Sequence, residues 1–419
     1  MASILNTIQH IAQPSQIDAL AAEGFGPRQR PAVNSHIHLP PNFSAFDTVE
    51  QAVVLAAEQN VQIVGLSNYY DYAVYEDFGV KARHHKIFPL FGLEIIAMQQ
   101  SLLEQGIRVN DPGNPGKTYL CGKGITRFNA MTPRAKELID TIRRNDTNRM
   151  AEMTRKLAEF FDRHNIKTGL DDAAVIARVA RRHQCPPETV FLQERHLAQA
   201  FQEVLFERVA LTERKTVLEA VLGPVKHAGD AVSIQGQIRS GLMKAGKSCF
   251  VPEAFLTLAQ ARELIGELGG IVCYPILADG SEPMCEFERP VEQLIETLKS
   301  ESIGMVELIP IRNKPEVLRH YVMAIRKAGI AVVAGTEHNT LDVIPMEPTC
   351  VGGVPVPDDL KDIFVEGAYV IAAHQYLTLN GKCGFVDSAG RPNPAYQDAQ
   401  SRIAVFARIG RAVVAKYLG

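Results

Sequence analysis

Short Val/Ile-rich runs recur along the chain with helical stretches between them, and this alternation narrows the available folds more than any other feature. Val33 to His38 is the first run, Val61 to Leu66 the second and Ile87 to Ile96 the third. A shorter fourth spans Thr118 to Cys121 and extends toward Thr126. After a long gap come Gly270 to Pro275, Gly304 to Ile309 and Ile330 to Thr336. The runs show little apolar–polar alternation, the pattern of strands buried on both faces of a parallel sheet. Helices are predicted between them. One starts at Asp47, read as an N-cap with Glu50 three residues on; one spans Leu258 to Leu268 and is closed by Gly269-Gly270; others cover Val291 to Ser300 and Pro315 to Lys327. About seven strands alternating with helices make an α/β chain of the TIM-like (β/α) barrel type.

At 419 residues the chain exceeds the usual size of a single core, so a barrel with an insertion is expected. Residues 128–250 are charged, helix-periodic and poor in strand signals. They read as a helical lid domain between two barrel parts, 1–127 and 251–419, the second part including a C-terminal helix. Within the insertion, Ala135 to Asn145 and Arg149 to His164 read as separate helices. The tail from Asp398 to Leu418 reads as an amphipathic helix packed on the barrel, with a homo-oligomer contact as its other use.

A net charge of −3 favours neither nucleic acid nor an anionic membrane, and no apolar run is long enough to span one. Met1 to Ser15 lacks the basic and apolar regions of a secretory signal. The seven cysteines form no Cys-x-x-Cys pair, as expected of reduced thiols in the cytoplasm.

The chemistry of a β/α barrel lies at the C-terminal ends of its strands. Here the first run ends in His36 and His38, which share one face of a strand about 7 Å apart at their Cα atoms. The second ends in Asn68-Tyr69-Tyr70-Asp71, the third carries Glu94, the fifth ends in Tyr274-Pro275, the sixth carries Glu307, and the last ends in Glu337-His338-Asn339. Any one acid reads equally well as a loop residue or a helix cap. Two histidines and two carboxylates converging on one mouth make a four-ligand site for Zn, Mn or Fe. Arg127, Arg195, His196 and Arg312 lie in or beside strand ends or the insertion, where a guanidinium suits an anionic group.

The pieces N-S-H-I-H, V-G-L-S-N-Y-Y-D, F-G-L-E-I, G-G-I-V-C-Y-P and V-A-G-T-E-H-N-T resemble the polymerase-and-histidinol-phosphatase (PHP) superfamily, in its metal-dependent phosphoesterase branch, over about residues 31–345. The resemblance implies a distorted seven-stranded barrel with up to three metals at its mouth, and phosphate-ester hydrolysis by metal-bound hydroxide. It also implies an Arg-bearing helix start facing the phosphate, matched by Glu194-Arg195-His196. It places the first metal on His36, His38, Glu94 and Glu337, the last being Asp in the family. At the family's other ligand positions stand Tyr119 and Tyr274 for the second metal, and Ser44, Tyr69 and Asn339 for the third, with Asn68 replacing an Asp. Phenols and amides are poor ligands beside imidazole and carboxylate, so one divalent metal is expected.

The resulting expectation is a metal-dependent hydrolase that acts on a small anionic substrate, a phosphoester by default, through metal-activated water at a mononuclear site. Glu307 and His338 are candidate bases, with a further ligand or a ring facing away as the other readings of His338. Tyr69 and Tyr274 are candidate donors to an oxyanion. Arg195, His196, Arg127 and Asn68 are candidate substrate contacts. Two other readings stand beside it: a non-phosphate hydrolase or lyase on the same metal, and an inactive barrel that binds a ligand or partner.

Overall fold

The apolar runs assemble into one sheet. The computed structural model describes residues 3–23 and 30–419. Its strands are β1 (Ala32–Ile37), β2 (Val61–Leu66), β3 (Phe88–Met98), β4 (Lys117–Lys123), β5 (Leu256–Thr257), β6 (Ile271–Ile276), β7 (Met305–Leu308) and β8 (Ala331–Ala334). Seven follow one another in the order β1-β2-β3-β4-β6-β7-β8, and β5 adds two residues beside β3. The ring nearly closes. Ile37 and Glu337 form a parallel bridge, and the N–H groups of Thr336 and Glu337 donate to the His36 carbonyl at 3.1 and 2.8 Å. With helices packed around it, this is the TIM-like barrel expected from the sequence.

Closure depends on a residue without a side chain. A Cβ at Gly335 would lie 2.3 Å from the Cβ of His36. Gly335→Ala is therefore expected to cost about 1–3 kcal/mol by overpacking and to displace His36, with chemical denaturation as the measurement.

One strand departs from the parallel pattern. β4 runs antiparallel to both β3 and β6. Buried strands read alike in either direction, so the sequence carried no sign of this. The end of β4 and the residues after it consequently lie at the base of the barrel, where the Thr126 and Arg127 N–H groups donate to the Leu268 carbonyl.

From the base, Thr132 caps a single helix, Pro133–Arg163, where the sequence suggested two. Its first turns, through Ile142, belong to the barrel core. From Met150 onward it joins a second apolar cluster built with the helices Asp172–His183, Glu194–Arg208, Leu211–Leu222 and Ala231–Ile238.

Other boundaries moved or appeared. Thr48, not Asp47, caps the helix Val49–Glu58. The 22-residue helix Asp358–Leu379 had no sequence signal, because it is buried on nearly every side and shows no amphipathic stripe. The tail helix, Ala399–Leu418, starts after Asp398 as expected and packs along that helix within the same chain. Among the described residues, no helix is long and apolar enough to cross a membrane.

Candidate metal centre

Strand alternation turns His36 to the inside at the top of β1, and His38 follows it one residue beyond the strand. Glu94 reaches them from β3. The three donor atoms converge: His36 Nε2 and His38 Nε2 are 3.3 Å apart, and Glu94 Oε2 lies 3.5 and 3.2 Å from them. Donors about 2.1 Å from a tetrahedral ion are spaced about 3.4 Å apart, so the group has the dimensions of one face of such a site. Glu94 Oε2 is buried and accepts no hydrogen bond, an orphan that a cation would satisfy. The residues therefore fit a divalent ion.

The electrostatics agree. Burial would push the Glu94 carboxyl up, but the two imidazoles outweigh it and hold it well below the carboxylate range. Burial drives His38 down. It also disfavours a charged His36, yet the neighbouring Glu307 carboxylate more than offsets this and raises the ring to about 9. An ion at His36 Nε2 must displace that proton. Affinity for Zn is accordingly expected to rise about tenfold per pH unit between roughly pH 6 and 8, read by competition with a chromophoric chelator.

Glu307 does not face the mouth, so the expectation of a general base there is corrected. It lies beneath the histidines, fully buried. Oε2 accepts from His36 Nδ1 at 2.7 Å, and Oε1 accepts from Lys123 Nζ at 2.7 Å and Ser35 Oγ at 2.8 Å. Lys123 also donates to the Ser35 carbonyl and Ser67 Oγ. A carboxylate on Nδ1–H fixes the tautomer that leaves Nε2 free to ligate. Sequence reasoning missed Lys123, which lies where the fourth run extends toward Thr126. A charged residue closing the apolar run Leu120-Cys121-Gly122 was the available signal.

Other expected site residues have found internal partners. Glu337 has its backbone beside His36 and His38, but its Oε2 accepts from Arg312 Nη2 and Asn339 Nδ2, each at 2.5 Å. The converging group among the described residues thus has three members, not four. His338 faces away: Nδ1 meets Thr336 Oγ1 at 2.6 Å, Nε2 meets the Ile344 carbonyl at 3.0 Å, and the ring stacks on Phe46. Burial lowers it to about 4, and with both ring nitrogens engaged away from His36 and His38 it stands apart from the converging donors. Tyr274 donates to Glu288 inside the protein. The Asn68 amide exchanges two hydrogen bonds with the backbone of Leu39, tying β2 to the end of β1. His196 is buried as part of the capping box of its helix. Arg127 is at the base because β4 is reversed, donating to the Glu267 carbonyl.

Tyr69 and Arg195 do reach the mouth. The Tyr69 ring stacks on His38 at 5.3 Å with the planes 2° apart. Both residues line a cleft between the barrel mouth and the helical segment, with Tyr70 and Tyr119 among its walls. Lys117, Arg149, Arg195, Arg239 and Lys244 face it against Asp146, Glu194 and Glu253, an excess of cations that favours an anionic guest.

A nearly closed β/α barrel carrying a buried His-His-Glu cluster at its mouth, under a helical cap, is the class of protein that fold and site define. No family model and no curated protein matches the chain. Solved structures share its fold, two among them as follows. One, described as a metal-dependent phosphoesterase, is from Bifidobacterium adolescentis (TM-score 0.51, 14% identity, 81% of this chain and 98% of that one). The other is an amidohydrolase from Chromobacterium violaceum with bound sulfate and no metal (TM-score 0.51, 14% identity, 79% and 96%).

Proposed function

We propose that this chain is a PHP-type, metal-dependent hydrolase that acts on a small anionic substrate, a phosphoester in the first instance, at a mononuclear site. The observation that carries the reading is the convergence of His36 Nε2, His38 Nε2 and the orphaned Glu94 Oε2. A divalent ion there supplies a Lewis acid and an activated water. The chain's own residues do the rest. Glu307 orients His36. Arg195 offers its guanidinium to the substrate anion. Glu337, its Oε2 held by Arg312 and Asn339, fixes Arg312 beside the histidines, where a second guanidinium adds to the pull on an anion. Tyr69, stacked on His38, covers the ground where a further ion would need ligands.

That covering tyrosine favours a second reading, non-phosphate hydrolysis or lyase chemistry at the same site, since a multi-ion clamp for phosphoryl transfer lacks ligands. The similar amidohydrolase fold accommodates it. Turnover of an aryl phosphate and an aryl amide, with Zn or Mn supplied and then chelated, separates the readings. Metal-dependent phosphate release supports the first and amide cleavage the second. No turnover of either overturns the hydrolase and leaves a ligand-binding barrel.

A further inference from the structure

The charges of the cleft are mostly matched with one another. Arg149 pairs with Glu194 at 2.7 Å and Glu253 at 3.3 Å, Lys244 with Glu194 at 2.5 Å, and Lys117 with Glu253 at 3.0 Å and Asp111 at 3.5 Å. Arg239 leans on Glu194 at 3.6 Å. Two cleft groups stand outside this network. Among the described residues the Asp146 carboxylate meets no hydrogen-bond or ion-pair partner, and the Arg195 guanidinium meets the face of the Phe43 ring, 5.9 Å away. Each bears the mark of a missing counter-charge. Burial pushes the Asp146 carboxyl up to about 7, with Glu253 and Glu194 adding to the push against Arg149. Burial pulls Arg195 down to about 10, with Arg239 repelling it.

Their positions differ. Arg195 lies over Phe43 and also lines a smaller hollow with Thr340 and Leu341, just past Glu337, on the mouth side of the cleft. Asp146 lies one turn before Arg149 on the helix Pro133–Arg163, on the side where Asn145 donates to the Ala254 carbonyl and Arg149 meets Glu253. Tyr70, Tyr119 and Ile142 supply wall that needs no charge from a guest. Both side chains are half-buried, so each keeps a face open to the cleft from which a ligand of opposite charge can complete it.

We propose that the substrate is dipolar: its anionic group meets Arg195 next to the metal cluster, and a protonated amine at its far end meets Asp146. This rests on the cleft being the substrate site of the proposed hydrolase and adds the substrate's chemical class. An anion without an amine would leave Asp146 unpaired and lose the difference.

Phosphonates test it without turnover, because their carbon–phosphorus bond is not a phosphoester. Calorimetric titration of the full-length protein would compare ω-aminoalkylphosphonates of two, four and six carbons with alkylphosphonates of equal length. At one length or more, the amine is expected to tighten binding about tenfold or better. D146N should bring that ratio to within about twofold, and R195Q should weaken both ligands about tenfold. Equal binding of the paired ligands to the wild-type protein at every length overturns the proposal, as does a ratio that survives D146N. The wild-type comparison decides even if a variant fails to fold. Metal content of the same preparations is a separate readout. Metal present with no phosphonate bound sinks the dipolar guest and spares the metal site. An amine preference in a protein that takes up no metal upholds the guest and sinks the hydrolase.

Discussion

Elemental analysis of the protein purified without added metal or chelator is expected to find about one divalent ion per chain, and close to none in a His36→Ala, His38→Ala variant. The expectation follows from three donor atoms at tetrahedral-face spacing, two of which the variant removes. The loss should be nearly complete, because a lone Glu94 is an ordinary carboxylate. Because the variant also takes the His36 partner from buried Glu307, circular dichroism of the same preparations separates lost metal from lost fold. Two or three ions per chain would show that Tyr69 and Tyr274 do not exclude further sites. Retention of one ion by the variant would place the metal elsewhere.

The second large effect lies below the metal site. Lys123→Met is expected to destabilise the protein by about 3–5 kcal/mol, because it leaves the Glu307 carboxylate buried without its cation. Urea unfolding measures it. Burial would push the Glu307 carboxyl up, yet Lys123 and then His36 overcome that and hold it at about 2. A carboxyl depressed on folding lends stability that is present above its ordinary value, about 4.5, and is lost as the pH falls toward 2. Without Lys123 that contribution shrinks, so acid unfolding should begin at higher pH. Adding Glu307→Leu to the Lys123 variant should recover most of the stability, since a matched apolar pair often replaces a buried ion pair without loss. It should not recover metal affinity, which is expected to drop about 10–100-fold once His36 loses its orienting carboxylate. Unchanged affinity in the double variant would reduce the Glu307–His36 contact to packing.

The barrel and the core of its site were legible because both follow from strand geometry. A period of two puts His36 and His38 together, and Glu94 reaches them from within β3. What failed was the next inference, that every polar residue at a strand end faces the mouth. Glu307, His338, Tyr274 and Asn68 stand at such ends, yet each meets a partner inside: Lys123, the Ile344 carbonyl, Glu288 and the Leu39 backbone. Those partners come from distant segments, and no local pattern announces them. Glu337 shows the same limit, since its backbone sits where expected while Arg312 draws its side chain aside. Arg127 was misplaced for a different reason, the reversal of one strand.

The helix Pro133–Arg163 carries a mechanical implication. Its 31 residues make a rod about 46 Å long at 1.5 Å per residue. The lower end is clamped at the barrel's base by Thr132 to Glu267 and Arg134 to Glu263, and the upper part presents Asp146 and Arg149 to the cleft. A cap mounted on such a strut moves as the strut moves. Any opening of the cleft would then have to come from the connections between α-helices, near residues 244–255 and 184–193, with the rod holding the gauge between wall and mouth.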